Sequence, residues 1–292
     1  GDPALEPLAI GGFTTVQKVY GFDPVPSELD GTQTKHILGA QGNLWAEYIS
    51  SPEHALYMAL PRMIALAEVL WSPKESRNEA GFIKRLELEF ANLEAKHINF
   101  SRSLYNVGYK LSGSKKRGQV NVDLTTGGVP GEIRYTLNGT EPSDTSRQFA
   151  STIQQRGDAT IKAAMFRNTQ RVGNVTSREI HFDKATGRQV TLDPPASERY
   201  GAYGPITLAD GVSAGPKRVN NEWLGWTTDK ITVTVDLGKE ETLSHLGIGA
   251  LEERYAWIHP PKEVRIATSP DGAQFTELAT SSLKEGSKGR IE

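Results

Sequence analysis

The sequence predicts an α/β segment followed by two all-β units, and three observations support this assignment. Residues 52–71 form an almost continuously apolar stretch of helical length. From residue 107, short segments of alternating apolar and polar residues replace the helical pattern. A second β-rich section begins near residue 188. The predicted regions are 1–106, 107–187 and 188–292.

The composition excludes several classes of function. The formal net charge is −2 and the two signs are interspersed, whereas nucleic-acid binding needs clustered Lys and Arg. We interpret the basic run at 114–118 as a solvated linker, and we expect no nucleic-acid partner. No stretch approaches the ~18 apolar residues of a membrane span. The chain has no cysteine, which rules out disulfides and thiolate sites.

Both ends of the chain suggest a longer parent protein. The opening GDPALEPLAIGG has no Met and no basic leader, and the last residues, SSLKEGSKGRIE, stop without a closing apolar strand. We therefore expect truncation at both ends.

Two helices are predicted in region 1–106. Ser51 is a good N-cap, with Pro52 in the favoured first helical position. Pro61 lacks an N–H and should kink or split the first helix, which Trp71 closes as a core residue. The second helix presents one apolar stripe at three- to four-residue spacing. Its members are Phe82, Leu86, Phe90, Leu93 and His97.

Trp45 and Glu47 end an apolar run in GAQGNLWAEYIS (39–50). If the run is a strand, both side chains project from the same face. One interpretation is a half-buried Trp beside a solvated carboxylate. The other is one wall of a sugar pocket, because an indole packs on the apolar side of a sugar and a carboxylate accepts hydrogen bonds from its hydroxyls.

The segment HILGAQGNLWAEYISSPEHALYMALPRMIALAEVLWSP (36–73) resembles the last strand and helix of the (β/α)₈ barrel of glycoside hydrolase family 20, the β-N-acetylhexosaminidases. Active sites of such barrels lie at the C-terminal ends of the strands. The resemblance implies that Trp45 lines the pocket for the acetamido group of the −1 sugar. It also implies that Glu47 accepts hydrogen bonds from the O4 and O6 hydroxyls.

The resemblance further implies a retaining, substrate-assisted reaction supported by an adjacent Asp-Glu pair. In this chain no Asp is followed by Glu. We therefore expect no catalytic residue here, no required cofactor and an inactive fragment, whose partners are the remainder of the barrel and a carbohydrate substrate. Arg62 and Glu68 are interpreted as structural partners of neighbouring loops.

Region 107–187 is predicted to form a small β-sandwich of immunoglobulin or fibronectin type. Its GEIRYTLNGTEPS (131–143), with the later ATIKAAMF, resembles the C-terminal sandwich that follows the barrel in chitobiases. This implies a supporting role. The predicted strands are 119–126, 132–138, 159–166 and 178–183.

Region 188–292 resembles a discoidin, or coagulation factor type C, jelly roll that is incomplete at its C-terminus. The resemblance rests on LADG (208–211), NEWLGW (221–226), VTVDLG (233–238) and WIHPPKEVRIATSPDG (257–272). Such domains bind carbohydrate through loop aromatics or use them for packing, and both roles stay open here. Asp210 is a candidate calcium ligand, although calcium needs 6–8 oxygens. The candidate aromatics are Trp223, Trp226, Tyr255 and Trp257.

Together these features predict part of a bacterial β-N-acetylhexosaminidase that releases terminal N-acetylhexosamine. The resemblance implies a periplasmic, extracellular or cell-surface location. The alternative is a non-catalytic carbohydrate-binding or adhesion module.

Overall fold

In the described part of the chain, the α-helices precede the strands. The structure is a computed structural model that describes residues 14–46, 49–215, 222–282 and 289–291. The helices are α1 (Val16–Tyr20), α2 (Pro52–Ala59), α3 (Arg62–Trp71) and α4 (Glu79–Ala95). No described helix combines the length and apolarity that a bilayer crossing requires.

The local signals for α2 and α3 are confirmed. The Ser51 hydroxyl accepts a hydrogen bond from His54 N at 3.1 Å, and Pro52 is the first residue of α2. Pro61 follows a cis peptide bond and separates α2 from α3. Because proline offers no N–H to the helical ladder, the long apolar stretch becomes two helices.

The predicted stripe on α4 is confirmed except at its end. Asn78 caps this helix, accepting a hydrogen bond from Gly81 N at 2.7 Å. His97 lies beyond Ala95 with a φ of 55° and is exposed, so it does not extend the stripe. The buried residues of α4 are Phe82, Ile83, Leu86, Phe90 and Leu93.

Two expectations for the helical region are wrong. Residues 37–45 form no strand, and Leu38 is 98% exposed. A barrel strand forms only where neighbouring strands pair with it. The described residues before 107 contain no strand with which this run could pair. Trp71 is 89% exposed instead of buried. It follows the buried Val69 by two residues, which at about 100° per residue puts it on the opposite face of α3.

The predicted sandwich consists of two antiparallel sheets, with strand orders β1-β2-β5 and β4-β3-β6-β7. The segments predicted from sequence correspond to β2, β3, β6 and the end of β7, whereas β1, β4 and β5 were not predicted. The strands are β1 (Gly108–Gly113), β2 (Val120–Thr125), β3 (Glu132–Thr136), β4 (Arg147–Gln148), β5 (Ile153–Gln155), β6 (Ala159–Arg167) and β7 (Gln170–Ile180).

One continuous apolar core joins the helices to the sandwich. It runs from Val16 and Phe82 on the helices to Val122 and Ile161 on the strands. Across the boundary, Gln17 Nε2 donates to the carbonyl oxygen of Gly127 at 2.9 Å. The helical region therefore packs directly on the sandwich.

Beyond the sandwich, the described strands pair only as two-stranded antiparallel ribbons, β8–β9, β10–β13 and β11–β12. No residue of 222–282 is fully buried. The described part of region 188–292 thus contains none of the larger sheets of a jelly roll. The strands are β8 (Gln189–Asp193), β9 (Thr232–Asp236), β10 (Ile248–Ala250), β11 (Glu263–Thr268), β12 (Thr276–Ser282) and β13 (Gly289–Ile291).

Candidate substrate-binding site

Trp45 lies on the surface, in the irregular segment that leads to α2. Its side chain is 61% exposed, and it does not cap an apolar core. The backbone of this segment approaches α3 closely at Gly42, where a Cβ atom would lie 3.3 Å from Leu66 Cδ2. Glu47 lies outside the described residues. Trp45 is therefore accessible to a ligand on a segment that packs against α3.

Both ends of α2 are held by hydrogen bonds from other segments. Asn99 Nδ2 donates to Glu53 O at 2.8 Å, and Ser101 N donates to Leu60 O at 3.0 Å. Arg62 donates through Nε to Thr14 O at 2.7 Å and through Nη1 to Met58 O. Arg62 thus has a structural role, as expected from the sequence.

Glu68 also has a structural role, between three helices. Its Oε1 accepts hydrogen bonds from Tyr20 Oη at 2.9 Å and from Arg85 Nη2 at 2.5 Å. Burial pushes the pKa of Glu68 up, but the hydrogen bonds from Arg85 and Tyr20 outweigh it, so the pKa is lowered overall. Both Arg62 and Glu68 therefore hold neighbouring segments together.

The four aromatic candidates of region 188–292 divide into two pairs. Trp226 is partly buried and donates through Nε1 to Pro194 O at 3.0 Å. Trp223, also partly buried, lies with its ring against the backbone of Gly249. By contrast, Tyr255 and Trp257 are 81% and 87% exposed. The first pair packs, and the second is available to a ligand.

Tyr255 and Trp257 lie on one short loop that is closed at its base. Glu253 and Ile258 exchange two backbone hydrogen bonds, of 3.0 and 3.1 Å. Trp257 has a φ of 59°, a left-handed conformation that is rare for a bulky side chain and clusters at functional sites. The closed loop therefore holds two large rings in solvent at one place.

The surroundings of Asp210 do not fit a calcium site. This side chain is 4% exposed, and its Oδ1 accepts a hydrogen bond from Val212 N at 2.8 Å. Burial raises its pKa to about 7, and Arg178 and Glu222 are the charged groups that act on it. Nowhere in the described ranges do three or more His, Cys, Asp or Glu side chains form a group that could hold a metal ion.

Comparison with known families accounts for two stretches of the chain. Residues 1–74 match the family described as glycosyl hydrolase family 20, catalytic domain. Over these 74 residues the chain is similar to part of a family 20 catalytic domain. Residues 111–177 match the chitobiase/beta-hexosaminidase C-terminal domain. The resemblance seen in the sequence is confirmed over both stretches, and neither match extends beyond residue 177.

Curated proteins that are similar to parts of this chain are named beta-hexosaminidases. That of Porphyromonas gingivalis is 36% identical over 155 residues, which are 53% of this chain and 20% of the relative. That of Akkermansia muciniphila is 38% identical over 73 residues, which are 25% of this chain and 15% of the relative. A probable beta-hexosaminidase of Arthroderma benhamiae is 42% identical over 60 residues, which are 20% of this chain and 9% of the relative. The chain thus spans a fifth or less of the length of these relatives.

The residues that match family 20 include both Trp45 and Glu47, and no Asp is followed by Glu anywhere in the 292 residues. The match ends at Lys74, just beyond α3. The match therefore includes both candidate substrate contacts predicted from the sequence.

Proposed function

We propose that the protein to which these residues belong is a β-N-acetylhexosaminidase that removes terminal N-acetylhexosamine residues by a retaining, substrate-assisted mechanism. The observation that carries this proposal is the exposed Trp45 within a segment that matches the family 20 catalytic domain. An exposed indole on the segment that leads into α2 suits a pocket wall better than a core position.

In this proposal Trp45 and Glu47 have different tasks. The indole face of Trp45 packs on the acetamido side of the −1 sugar and excludes water there. The Glu47 carboxylate accepts charge-assisted hydrogen bonds from the O4 and O6 hydroxyls, which fixes the orientation of the ring. Acid–base chemistry and the positioning of the acetamido group come from an Asp-Glu pair elsewhere in the protein.

The remainder of the catalytic barrel is the partner that this chain requires. Besides Trp45, seven large apolar side chains are exposed on the described part of the helical region, more than an isolated soluble surface favours. Barrel strands and helices that pack against them would cover this surface. The seven residues are Phe22, Leu38, Leu44, Leu56, Met63, Trp71 and Leu88. We place the complete protein in the periplasm or at the surface of a bacterium.

The test measures hydrolysis of an aryl N-acetylglucosaminide by the full-length protein. Trp45→Ala and Glu47→Gln should each lower kcat/KM roughly 10- to 100-fold, the equivalent of one lost charge-assisted hydrogen bond or ring contact. Phe275→Ala, which removes an exposed aromatic ring outside the residues that match the family 20 catalytic domain, is the control and should retain activity. Unchanged kinetics for both pocket variants would refute the assignment. The 292-residue chain alone should show no turnover, and turnover by it would refute an external catalytic pair.

A second candidate function is carbohydrate binding by region 188–292, as an incomplete discoidin-like unit. The exposed pair Tyr255 and Trp257, on a closed loop, favours it. Titration of N-acetylglucosamine oligomers into the 292-residue chain, followed by calorimetry, tests it. Trp257→Ala should weaken binding about ten-fold, as expected for one stacked ring, whereas Trp71→Ala should not. Equal affinities for these two variants, or no binding at all, would exclude this function.

A further inference from the structure

A cleft of about 570 Å³ opens on the outer face of the four-stranded sheet of the sandwich. On β3, Ile133 and Tyr135 are buried in the core, so the alternating Glu132 and Arg134 point to this outer face. The start of β3, the connection from β3 to β4 and the turn between β6 and β7 form the walls of the cleft. It therefore lies outside the residues that match the family 20 catalytic domain.

Phe166 forms the floor of this cleft. It lies opposite Glu132 in the antiparallel ladder of β3 and β6, and opposite residues share a face of the sheet. Phe166 is only 5% exposed, although it does not belong to the continuous apolar core. An aromatic floor below a few polar side chains is the usual composition of a site for a small ligand.

The arginines that line the cleft are neutralised within the protein. Arg134 forms an ion pair with Glu132. Arg167 forms one with Glu87 of α4. Among the described lining residues no cation is thus left over for an anionic ligand, and the one unpaired carboxylate, Asp144, is exposed and would hold a cation only weakly. The charges of the cleft therefore favour a neutral ligand.

Asp144 and Asn168 offer hydrogen-bonding groups to such a ligand from two separate loops. Both side chains are exposed, and among the described residues neither has a hydrogen-bond or ion-pair partner. An ionised carboxylate accepts hydrogen bonds, and an amide both donates and accepts them. Asn168 and Thr169 have φ values of 47° and 67°, which is the backbone of a tight two-residue hairpin turn between Arg167 and Gln170. The Asn168 amide is therefore held on a short, well-defined turn.

We propose that this cleft binds a neutral oligosaccharide. Neighbouring sugar hydroxyls donate to the Asp144 carboxylate and exchange hydrogen bonds with the Asn168 amide. The apolar side of one sugar ring lies over the Phe166 floor and the adjacent Pro130 ring. The sandwich then binds a glycan at a place distinct from both candidate sugar contacts described above. The choice of N-acetylglucosamine oligomers as the first probe rests on the proposed function.

Cross-linking locates the bound sugar. The 292-residue chain carries Trp257→Ala, which removes the larger exposed ring of the loop at 253–258. It is irradiated with the trisaccharide of N-acetylglucosamine bearing a diazirine at its reducing end. Mass spectrometry of the digested protein should find the label on residues 130–146 or 166–170, which border the cleft. Label found only on other residues would overturn the proposal.

Calorimetry with the unmodified trisaccharide, in the same Trp257→Ala chain, identifies the groups responsible. Asp144→Ala should weaken binding about ten-fold, as expected for one lost charge-assisted hydrogen bond. Asn168→Gly should also weaken binding, because it removes the amide while glycine keeps the left-handed backbone of the turn. Asp229→Ala, which removes an exposed carboxylate outside the cleft, is the control and should leave the affinity unchanged. Equal affinities for all three variants would refute the site.

A second sugar separates this proposal from the proposed function. If maltotriose binds with the same dependence on Asp144 and the N-acetylglucosamine trisaccharide does not, the cleft is upheld as a sugar site while its link to N-acetylhexosamine fails. Binding of neither trisaccharide would overturn the proposal, whatever the hydrolysis measurements on the full-length protein show. Inorganic phosphate should not displace the sugar, because both arginines already have carboxylate partners. Displacement by phosphate would contradict a neutral ligand.

Discussion

Arg167 Nη2, at the end of β6, lies 2.6 Å from Glu87 Oε1 on α4, and this ion pair joins the helical region to the sandwich. Arg167 Nε also donates to Pro130 O at 2.6 Å, and the guanidinium lies 5.4 Å from the ring centre of Tyr105. Burial, followed by the charge of Glu87, raises the pKa of Tyr105 to about 12, so this phenol stays neutral in the interface. The contact is therefore enclosed as well as charged.

The first prediction is that Arg167→Met lowers the free energy of unfolding by about 1–3 kcal/mol, because Glu87 loses its partner in an enclosed place. Chemical denaturation of the chain measures this. Lys162→Met, on the same strand, is the matched control, since Lys162 pairs with the exposed Glu141. It should cost less than about 1 kcal/mol. Equal costs for both variants would contradict a special role of the Arg167 pair.

The second prediction concerns Gly173, on β7 at the same boundary. It has a φ of 86°, and a Cβ atom there would lie 2.8 Å from Tyr105 Cβ. Gly173→Ala should therefore strain the backbone and displace Tyr105. Gly118→Ala is the control, because Gly118 has a φ of 65° and no atom within 4 Å of an added Cβ. Backbone strain alone should cost roughly 1 kcal/mol of stability, which is the loss expected for Gly118→Ala. Thermal unfolding should show a larger loss of stability for Gly173→Ala.

The parts of the fold that depend on local chemistry were predictable from sequence. Ser51 offers a hydroxyl for capping and Pro61 lacks a donor, and both act within one helical turn. The alternating pattern of β2 likewise identifies a strand from its own residues. Short strands such as β4 and β5 carry too few residues for such a pattern, and they form because β3 and β2 are already in place beside them.

The features that were not predictable depend on distant residues. The sequence of the run at 37–45 predicts a strand, but a strand forms only where a neighbouring strand pairs with its backbone N–H and C=O groups. Arg178 and Glu222 are 44 positions apart, and nothing near either residue indicates the pair. At the candidate site, Trp45 could be recognised only because a long family match surrounds it. The exposure that separates Tyr255 and Trp257 from Trp223 and Trp226 required the structure.

The third prediction is a pH-dependent effect of Glu68→Gln. Since hydrogen bonds from Arg85 and Tyr20 lower the pKa of Glu68 below its usual 4.5, its stabilisation is full above that value and is lost as the pH falls through the folded-state pKa. Glu68→Gln should therefore cost about 1–3 kcal/mol at pH 7, and the difference from the parent chain should shrink in acid. Urea denaturation between pH 3 and pH 7 measures it. Glu75→Gln, an exposed control, should show no such trend.

The fourth prediction has the opposite sign and concerns Asp210. Burial raises its pKa from 3.8 to about 7, so between these values the unfolded chain has already lost a proton that the folded chain retains. The contribution of Asp210 to stability is therefore full below pH 3.8, decreases as the pH rises, and is lost above pH 7. Arg178 and Glu222 act on this carboxyl in opposite directions, and neither reverses the effect of burial.

Asp210→Asn removes this titration but keeps an oxygen that can accept the hydrogen bond from Val212 N. At pH 8 the variant should be more stable than the parent chain by at most about 4 kcal/mol, the equivalent of the shift from 3.8 to about 7. Its advantage should decline steadily between pH 7 and pH 4. Asp229→Asn removes an exposed carboxylate instead and should change stability little at any pH. Parallel stability profiles for Asp210→Asn and the parent chain across this range would show that Asp210 ionises freely, despite its burial beside Arg178.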